Sequence, residues 1–155
     1  MKRLISVGAV CAVTVAAVAA PSALGVKSTK QVASSVSVDL TPNSVVAGGA
    51  ATGSGTVSSN SNCRKDRTVA LEWVDGSSVA TPAGSAETKG SGKYTADLTA
   101  PAVAGTYTLR ATVQGPVIRK VGSKKKGKKT KKGRRFSCNA SLPTSSGPVT
   151  VTPAV

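Results

Sequence analysis

Alternation of apolar and polar side chains is clearest between residues 92 and 114. Apolar side chains occupy every second position in two runs, which are Tyr94, Ala96 and Leu98, then Tyr107, Leu109, Ala111 and Val113. A period of two predicts a strand with one buried face and one solvated face. The connector between the runs contains Pro101 and Gly105, which are typical turn residues. We therefore predict that the two runs pair as a β-hairpin in an antiparallel sheet.

Similar short runs recur along the rest of the chain. They predict strands over residues 36–40, 50–58, 67–74, 136–142 and 149–152, with weaker strands over 78–81 and 85–89. The predicted core consists of Val36, Val38, Leu40, Val69, Leu71, Trp73, Tyr94, Leu98, Tyr107, Leu109, Val113 and Val149. No helical periodicity is sustained, and about seven short strands separated by turns are typical of a sandwich or barrel. We predict one all-β domain, an antiparallel β-sandwich, over residues 35–155.

The first 20 residues have the three parts of an export signal. Lys2 and Arg3 precede an apolar run, and the small residues Ala17 and Ala19 suit a cleavage site. The apolar run is shorter than the ~20 residues that span a bilayer. We therefore expect export, with a secreted or cell-surface mature chain that begins with a flexible lead-in over residues 21–34.

Signal removal would leave two cysteines, Cys63 and Cys138, in the exported chain. Thiols oxidise and stay oxidised outside the cytoplasm, so we expect these two to form a disulfide. In the chain-entropy model, a bridge that closes so long a loop stabilises the fold by roughly 4 kcal/mol. Because the predicted core is small, this contribution is expected to matter for whether the fold persists.

Residues 119–135, called the basic run below, interrupt the alternation. Eleven of the residues in this run are cationic: Arg119, Lys120, Lys124, Lys125, Lys126, Lys128, Lys129, Lys131, Lys132, Arg134 and Arg135. Outside the run and the signal, eight cations face six acids, so the rest of the chain is nearly neutral. Like charges repel one another and cannot be buried together, which predicts a disordered or extended insertion between two strands.

Two interpretations of the basic run remain open. In the first, it binds a polyanion such as an anionic wall polymer, an acidic polysaccharide, nucleic acid or anionic lipid head groups. In the second, it is a solvated insertion that aids solubility. The run contains no aromatic residue on which a base could stack, so we expect no sequence-specific recognition of nucleic acid.

The residue inventory argues against catalysis. The chain has no histidine, which removes the Ser/His and Cys/His catalytic arrangements and the commonest metal ligand. The six acids lack ligand-like spacing; they are Asp39, Asp66, Glu72, Asp75, Glu87 and Asp97. We therefore expect a protein that is not an enzyme, with no metal, no cofactor and no small-molecule substrate.

Four short motifs form a recognisable series. They are Cys63-Arg64-Lys65-Asp66-Arg67-Thr68-Val69-Ala70-Leu71, Gly92-Lys93-Tyr94, Gly105-Thr106-Tyr107 and Cys138-Asn139-Ala140-Ser141. This series resembles small exported bacterial immunoglobulin-like or carboxypeptidase-regulatory-like domains, especially those of actinobacteria. The resemblance implies an immunoglobulin-like or prealbumin-like β-sandwich with a bridge between Cys63 and Cys138, and a non-catalytic structural or binding role. Leu109 stands where an antibody-type domain has a cysteine, so the implied bridge differs from the antibody one.

The sequence thus predicts an exported monomer that acts as a non-catalytic structural or binding module. The basic run is its predicted contact surface for polyanions, and the family pattern does not include such a run. The alternative is an extracellular protein dedicated to non-specific, electrostatic binding of nucleic acid.

Overall fold

The computed structural model describes residues 29–122, 125–126, 129–130 and 133–154. Every regular element in these ranges is a strand, which confirms the all-β prediction. The strands are β1 (Thr29–Val32), β2 (Ser35–Val36), β3 (Asp39–Thr41), β4 (Ser44–Val46), β5 (Ala50–Ser58), β6 (Thr68–Asp75), β7 (Ala80–Glu87), β8 (Lys93–Thr99), β9 (Gly105–Val113), β10 (Val117–Val121), β11 (Lys125–Lys126), β12 (Lys129–Thr130), β13 (Arg134–Cys138) and β14 (Thr144–Thr152). The predicted signal peptide lies outside the described residues, as does most of the predicted lead-in.

Two sheets supply the main core. One has the strand order β4-β14-β9-β6-β7, and in the other β5 pairs with β2, β3 and β8. Buried side chains from both sheets form a single apolar cluster. Each predicted core residue is buried in it except Tyr107, which is half-buried at its edge. The alternation therefore identified the buried faces correctly.

The predicted hairpin between residues 92 and 114 is wrong, although both of its strands are present. β8 pairs with β5, whereas β9 lies between β6 and β14 in the other sheet. Both strands bury their apolar faces in the same core, but they do so from opposite sheets. Alternation identifies a buried face and carries no information about the neighbouring strand, and the connector crosses from one sheet to the other.

Other strands also differ from the sequence-based prediction. β4 and β10 were not predicted, the strand predicted over 136–142 ends at Cys138, and the one predicted over 149–152 begins at Thr144. The predicted lead-in contains β1, which pairs in parallel with β13 more than 100 residues later, from Thr29↔Arg135 to Val32↔Cys138. The two weak runs over 78–81 and 85–89 are replaced by one strand, β7, whose pairing with β6 shifts register between Leu71 and Glu72. A register shift of this kind interrupts the alternation, which explains why one strand resembled two.

A third, smaller sheet has the order β1-β13-β10, and we call it the arm sheet. Its apolar side chains pack in a second cluster, separate from the main core, that contains Cys63, Phe136 and Cys138 with Val32, Val117 and Val121 around them. β10 and β13 are antiparallel partners from Val117↔Cys138 to Val121↔Arg134. The arm sheet therefore includes both ends of the basic run.

Candidate functional site

Three connections between strands meet at one end of the two main sheets. Asp66, between β5 and β6, donates a backbone hydrogen bond to the carbonyl of Thr88, between β7 and β8 (2.9 Å). Gln114, at the start of the long connection between β9 and β14, donates one to Thr68 (2.9 Å). The basic run belongs to that long connection, so its ends leave the domain where these connections converge.

A disulfide joins this end of the domain to the arm sheet. Cys63 and Cys138 are bonded, with their Cα atoms 5.4 Å apart, which confirms the predicted bridge. Cys63 lies between β5 and β6, and Cys138 is the last residue of β13. Both cysteines are fully buried. The base of the basic run is therefore covalently attached to the body of the domain.

Arg67 connects four chain segments beneath this attachment. Its side chain is fully buried, with 0% of its surface exposed. One terminal nitrogen donates to the hydroxyl of Ser34 (3.3 Å) and the carbonyl of Cys63 (3.1 Å). The other donates to the carbonyls of Gln114 (2.8 Å) and Asn139 (2.8 Å). A single guanidinium thus fastens both ends of the β9–β14 connection to the β5–β6 connection.

The charge of Arg67 is not balanced by a carboxylate among its hydrogen-bond acceptors. These acceptors are a hydroxyl and three backbone carbonyls, and within the described part of the chain its buried Nε has no partner. Burial lowers the pKa of Arg67, and the neighbouring Arg119 guanidinium lowers it further. Positive charge therefore extends from the basic run into the domain itself.

Arg119, the first cation of the basic run, contacts the β5–β6 connection. It donates hydrogen bonds to the carbonyls of Lys65 (3.0 Å) and Asp66 (2.7 Å). Its guanidinium also lies 3.6 Å from the Asp66 carboxylate. Among the residues of the basic run whose side chains the structure describes, which are Arg119, Lys120, Arg134 and Arg135, Arg119 is the one that forms an ion pair. Its role is therefore partly structural.

The remaining cations of the run fall into three groups. Lys120, Arg134 and Arg135 are exposed on β10 and β13. Lys125, Lys126 and Lys129 are placed by backbone pairing between β11 and β12. Lys124, Lys128, Lys131 and Lys132 lie outside the described residues. The basic run was predicted to be a disordered or extended insertion. In the structure, its two ends and part of its middle form strands.

The two paired segments of the run share one register. Val121 pairs with Arg134, and four residues further along the chain Lys125 pairs with Thr130, which is four residues before Arg134. Both pairings are antiparallel. The described strands of the basic run are therefore in the register of a single two-stranded ribbon that continues from the arm sheet.

A cleft lies where this ribbon leaves the arm sheet, and we call it the neck cleft. It has a volume of about 230 Å³ and is lined by Lys120, Val121, Gly122, Gly133, Arg134 and Arg135. Three of its six lining residues are cationic and none is acidic. Among the described residues, nothing lies within 4 Å of the place a side chain would take at Gly122. Gly122 and Gly133 line the cleft and bring no side chain into it.

Two parts of this site were not predicted from the sequence. Arg67 continues the alternation of Val69, Leu71 and Trp73, which are buried. A charged residue on the buried face of a predicted strand could therefore have identified Arg67 as a structurally important residue. The neck cleft depends on Gly122 and Gly133 flanking the cationic centre of the run, and their apposition follows from a pairing that the sequence did not reveal. The cations themselves were identified correctly as the unusual feature of the chain.

Comparisons with protein-family models, with curated proteins and with solved structures found no match. Within the described ranges, no helix is long and apolar enough to span a membrane. The described residues also bring together no group of three or more His, Cys, Asp or Glu side chains that could hold a metal ion. Assignment of a function therefore depends on the geometry and charge of the site.

Proposed function

We propose that this chain is an exported immunoglobulin-like β-sandwich that binds polyanions, without catalysis, through its basic run. The observation that carries the proposal is a run of cations that has no acid in its own connection and whose base is fixed to the domain by the disulfide. All six acids of the chain lie at or before Asp97, so the long connection that holds the run has none. Binding a polyanion would supply the missing negative charge.

Three features support the immunoglobulin-like assignment. Trp73 on β6 is buried, with 2% of its surface exposed, and its indole N–H donates to the carbonyl of Thr99 across the core (3.0 Å). The phenol of Tyr107, near the start of β9, donates back to the carbonyl of Val103 (3.1 Å). The strand order also matches, because β5 and β8 pair in one sheet while β6, β9 and β14 lie in the other. A buried Trp, a tyrosine corner and this division of strands are features of immunoglobulin domains.

The position of the basic run supports a binding role in such a fold. If β5, β6, β9 and β14 correspond to strands B, C, F and G, the run occupies the F–G connection. The B–C connection then contains Cys63, which is bonded to Cys138 in the F–G connection. In immunoglobulin variable domains, these two connections belong to the same end of the sandwich and contact ligands. The proposed binding surface therefore uses a part of the fold that is suited to recognition.

Binding through such a run would be mainly electrostatic. Lysine and arginine side chains release counterions when they neutralise the charges of a polyanion, so affinity falls steeply as salt rises. With about six phosphate contacts, affinity for DNA would decrease roughly a thousandfold between ~50 and ~200 mM salt. The proposal therefore includes strong salt dependence and little selectivity for base sequence.

The second candidate is a protein dedicated to extracellular nucleic acid. The two-stranded register of the described part of the basic run favours it, because the major groove of DNA admits a two-stranded β-ribbon. A protein dedicated to nucleic acid would bind duplex DNA more tightly than heparin at equal salt concentration. A general binder of polyanions would bind both polymers.

Retention on heparin and on immobilised DNA, measured against salt, tests the proposal. The intact mature chain is compared with a variant that lacks residues 124–132. We expect the deletion to lower the salt concentration needed for elution from both matrices. Unchanged retention would contradict polyanion binding by the run.

A further inference from the structure

The neck cleft contains a pair of like charges placed directly opposite each other. Lys120 on β10 and Arg135 on β13 are cross-strand partners, and both are exposed. Opposed residues in an antiparallel pair have Cβ atoms roughly 4.5–5.5 Å apart, and like charges at such positions are destabilising. Arg134, next along β13, also lines the cleft, but its side chain lies on the other face of the strand from Arg135.

No carboxylate compensates these charges in the described part of the chain. Asp66, the acid in contact with the basic run, is paired with Arg119 at 3.6 Å and with Lys65 at 4.0 Å. Glu72 is paired with Arg110 at 2.7 Å, on the main sheet. The cleft therefore concentrates positive charge at a structural cost that a bound anion would remove.

We propose that the neck cleft binds one tetrahedral oxyanion, a phosphate or sulfate ester group of the bound polymer, between the opposed side chains of Lys120 and Arg135. A phosphodiester or sulfate ester presents its charge on several oxygens, which can accept hydrogen bonds from the Lys120 ammonium and the Arg135 guanidinium together. Guanidinium groups bind such oxyanions through paired, charge-assisted hydrogen bonds. This inference rests on the proposed polyanion function and names the group and the residues at its centre.

Two glycines line the cleft. Gly122 and Gly133 bring no side chain into it. With hydrogen in place of side chains, the cleft of about 230 Å³ stays open between the strands. The cleft thus combines an unfilled volume with unpaired positive charge, which distinguishes it from an ordinary exposed lysine cluster.

Two charge-matched double variants test the proposal. The first is Lys120→Gln with Arg135→Gln, which removes the opposed pair in the cleft. The control is Lys89→Gln with Lys93→Gln, which removes two exposed cations at the same end of the domain but outside the cleft. Both variants carry the same net charge, so a difference between them reports the cleft and not the overall field.

Inorganic pyrophosphate is the first probe, with binding followed by calorimetry. We expect the cleft variant to lose about ten- to a hundredfold in affinity, the effect of one or two charge-assisted hydrogen bonds, and the control to change little. We also expect pyrophosphate to raise the thermal midpoint of the intact protein and of the control but not of the cleft variant. Equal losses in both variants would overturn the proposal.

Polymer probes identify the oxyanion. An oligothymidylate carries phosphodiesters, a heparin oligosaccharide carries sulfate esters, and polyglutamate carries carboxylates alone. We expect the affinity for the oligothymidylate, for the heparin oligosaccharide or for both to depend on Lys120 and Arg135. The probe with the stronger dependence identifies the natural group as phosphate or sulfate. An equal dependence for polyglutamate would contradict the preference for a tetrahedral group.

The cleft and the wider function can fail separately. If removal of residues 124–132 leaves retention on the polymers unchanged, the polyanion function fails, regardless of the affinity measured for pyrophosphate. If that deletion abolishes retention while the cleft variant matches its control, the polyanion function stands and the cleft proposal fails. The deletion leaves Gly122, Ser123 and Gly133 as a three-residue hairpin connection, a length that antiparallel strands accept.

Discussion

The side chain of Leu109 on β9 occupies the space that faces Gly53 on β5. A Cβ atom built at Gly53 would lie 3.0 Å from the Leu109 Cδ2 atom and 2.9 Å from the Leu98 Cδ1 atom. Leu109 itself is fully buried, with 0% exposure. The two main sheets therefore approach closely here, and the Leu109 side chain packs against the backbone of Gly53.

This relationship predicts a favourable coupling between two substitutions that are each harmful. Leu109→Ala should destabilise the fold by about 2–5 kcal/mol through the cavity it leaves. Gly53→Ala should cost about 1–3 kcal/mol through overpacking. Because the added methyl group enters the space that the leucine vacated, the double variant should be more stable than the sum predicts, by about 0.5–3 kcal/mol. Urea unfolding of the four proteins measures this coupling.

Val113→Ala provides the control for this cycle. Val113 is also fully buried on β9 but lies four residues from Leu109, roughly 13 Å along a strand. Its combination with Gly53→Ala should be additive within about 0.5 kcal/mol. An equal coupling at Val113 would show that the effect is not a local exchange of volume between Gly53 and Leu109.

Arg67 should matter more for stability than Arg110, although Arg110 forms an ion pair and Arg67 does not. Arg67→Ala would leave the buried carbonyl of Cys63 and the part-buried carbonyls of Gln114 and Asn139 without their donor. A buried group left unsatisfied costs about 1–3 kcal/mol, and a part-buried one costs less. Arg110→Ala breaks a part-exposed pair with Glu72, worth about 0–1 kcal/mol. Denaturant midpoints should therefore fall much further for Arg67→Ala. Equal losses would contradict the assigned role of Arg67.

Loss of the disulfide should loosen the arm sheet before it loosens the main core. Cys63 and Cys138 belong to the small cluster under the arm sheet, separate from the main cluster. A double Cys→Ala variant at these positions should lose roughly 4 kcal/mol of unfolding free energy in the chain-entropy model. Amide exchange should accelerate more in β1, β10 and β13 than in β6 and β9. A uniform acceleration would place the bridge in the same cooperative unit as the core.

Tyr94 should make stability fall at high pH. Burial, with a contribution from Asp39, raises the pKa of Tyr94 to about 12. Tyrosine in an unfolded chain titrates near ~10, so between these values the unfolded state binds fewer protons than the folded state. The contribution of Tyr94 to the free energy of unfolding is therefore complete below about pH 10 and is lost as the pH rises towards 12.

Tyr94→Phe separates this effect from other alkaline titrations. The variant lacks the phenol, which donates to the carbonyl of Ser37 (2.7 Å), so its stability at neutral pH should be about 1–3 kcal/mol lower. Its unfolding midpoint should decline less than that of the intact protein at alkaline pH. Parallel declines in urea titrations would show that Tyr94 does not titrate with folding.

The longer strands of the main sheets, the buried faces and the disulfide could be predicted from sequence because each depends on local pattern or on the small number of cysteines. Val69, Leu71 and Trp73 alternate on β6 and are buried as expected. The partners of the strands could not be predicted. The buried faces of β8 and β9 were predicted correctly, but the alternation does not show whether two strands pair in one sheet or face each other across the core.

The candidate site was predicted in part. The basic run was visible in the composition, and the bridge that fixes it to the domain followed from Cys63 and Cys138. β1 was missed because it has a single apolar residue, Val32, and pairs with a strand over 100 residues away. The neck cleft was missed because it depends on the register that sets Lys120 opposite Arg135.

The salt dependence of affinity for a fluorescent oligonucleotide tests the central claim most directly. The intact mature chain, the variant lacking residues 124–132 and a variant with arginine for lysine at 125, 126 and 129 are compared by anisotropy. We predict a steep decrease of affinity with salt for the intact chain and the arginine variant. For the deletion variant, the slope of the logarithm of affinity against the logarithm of salt concentration should be shallower by about 0.7 for each phosphate group that the variant no longer neutralises. Identical slopes for the intact chain and the deletion would contradict the claim that the basic run binds polyanions.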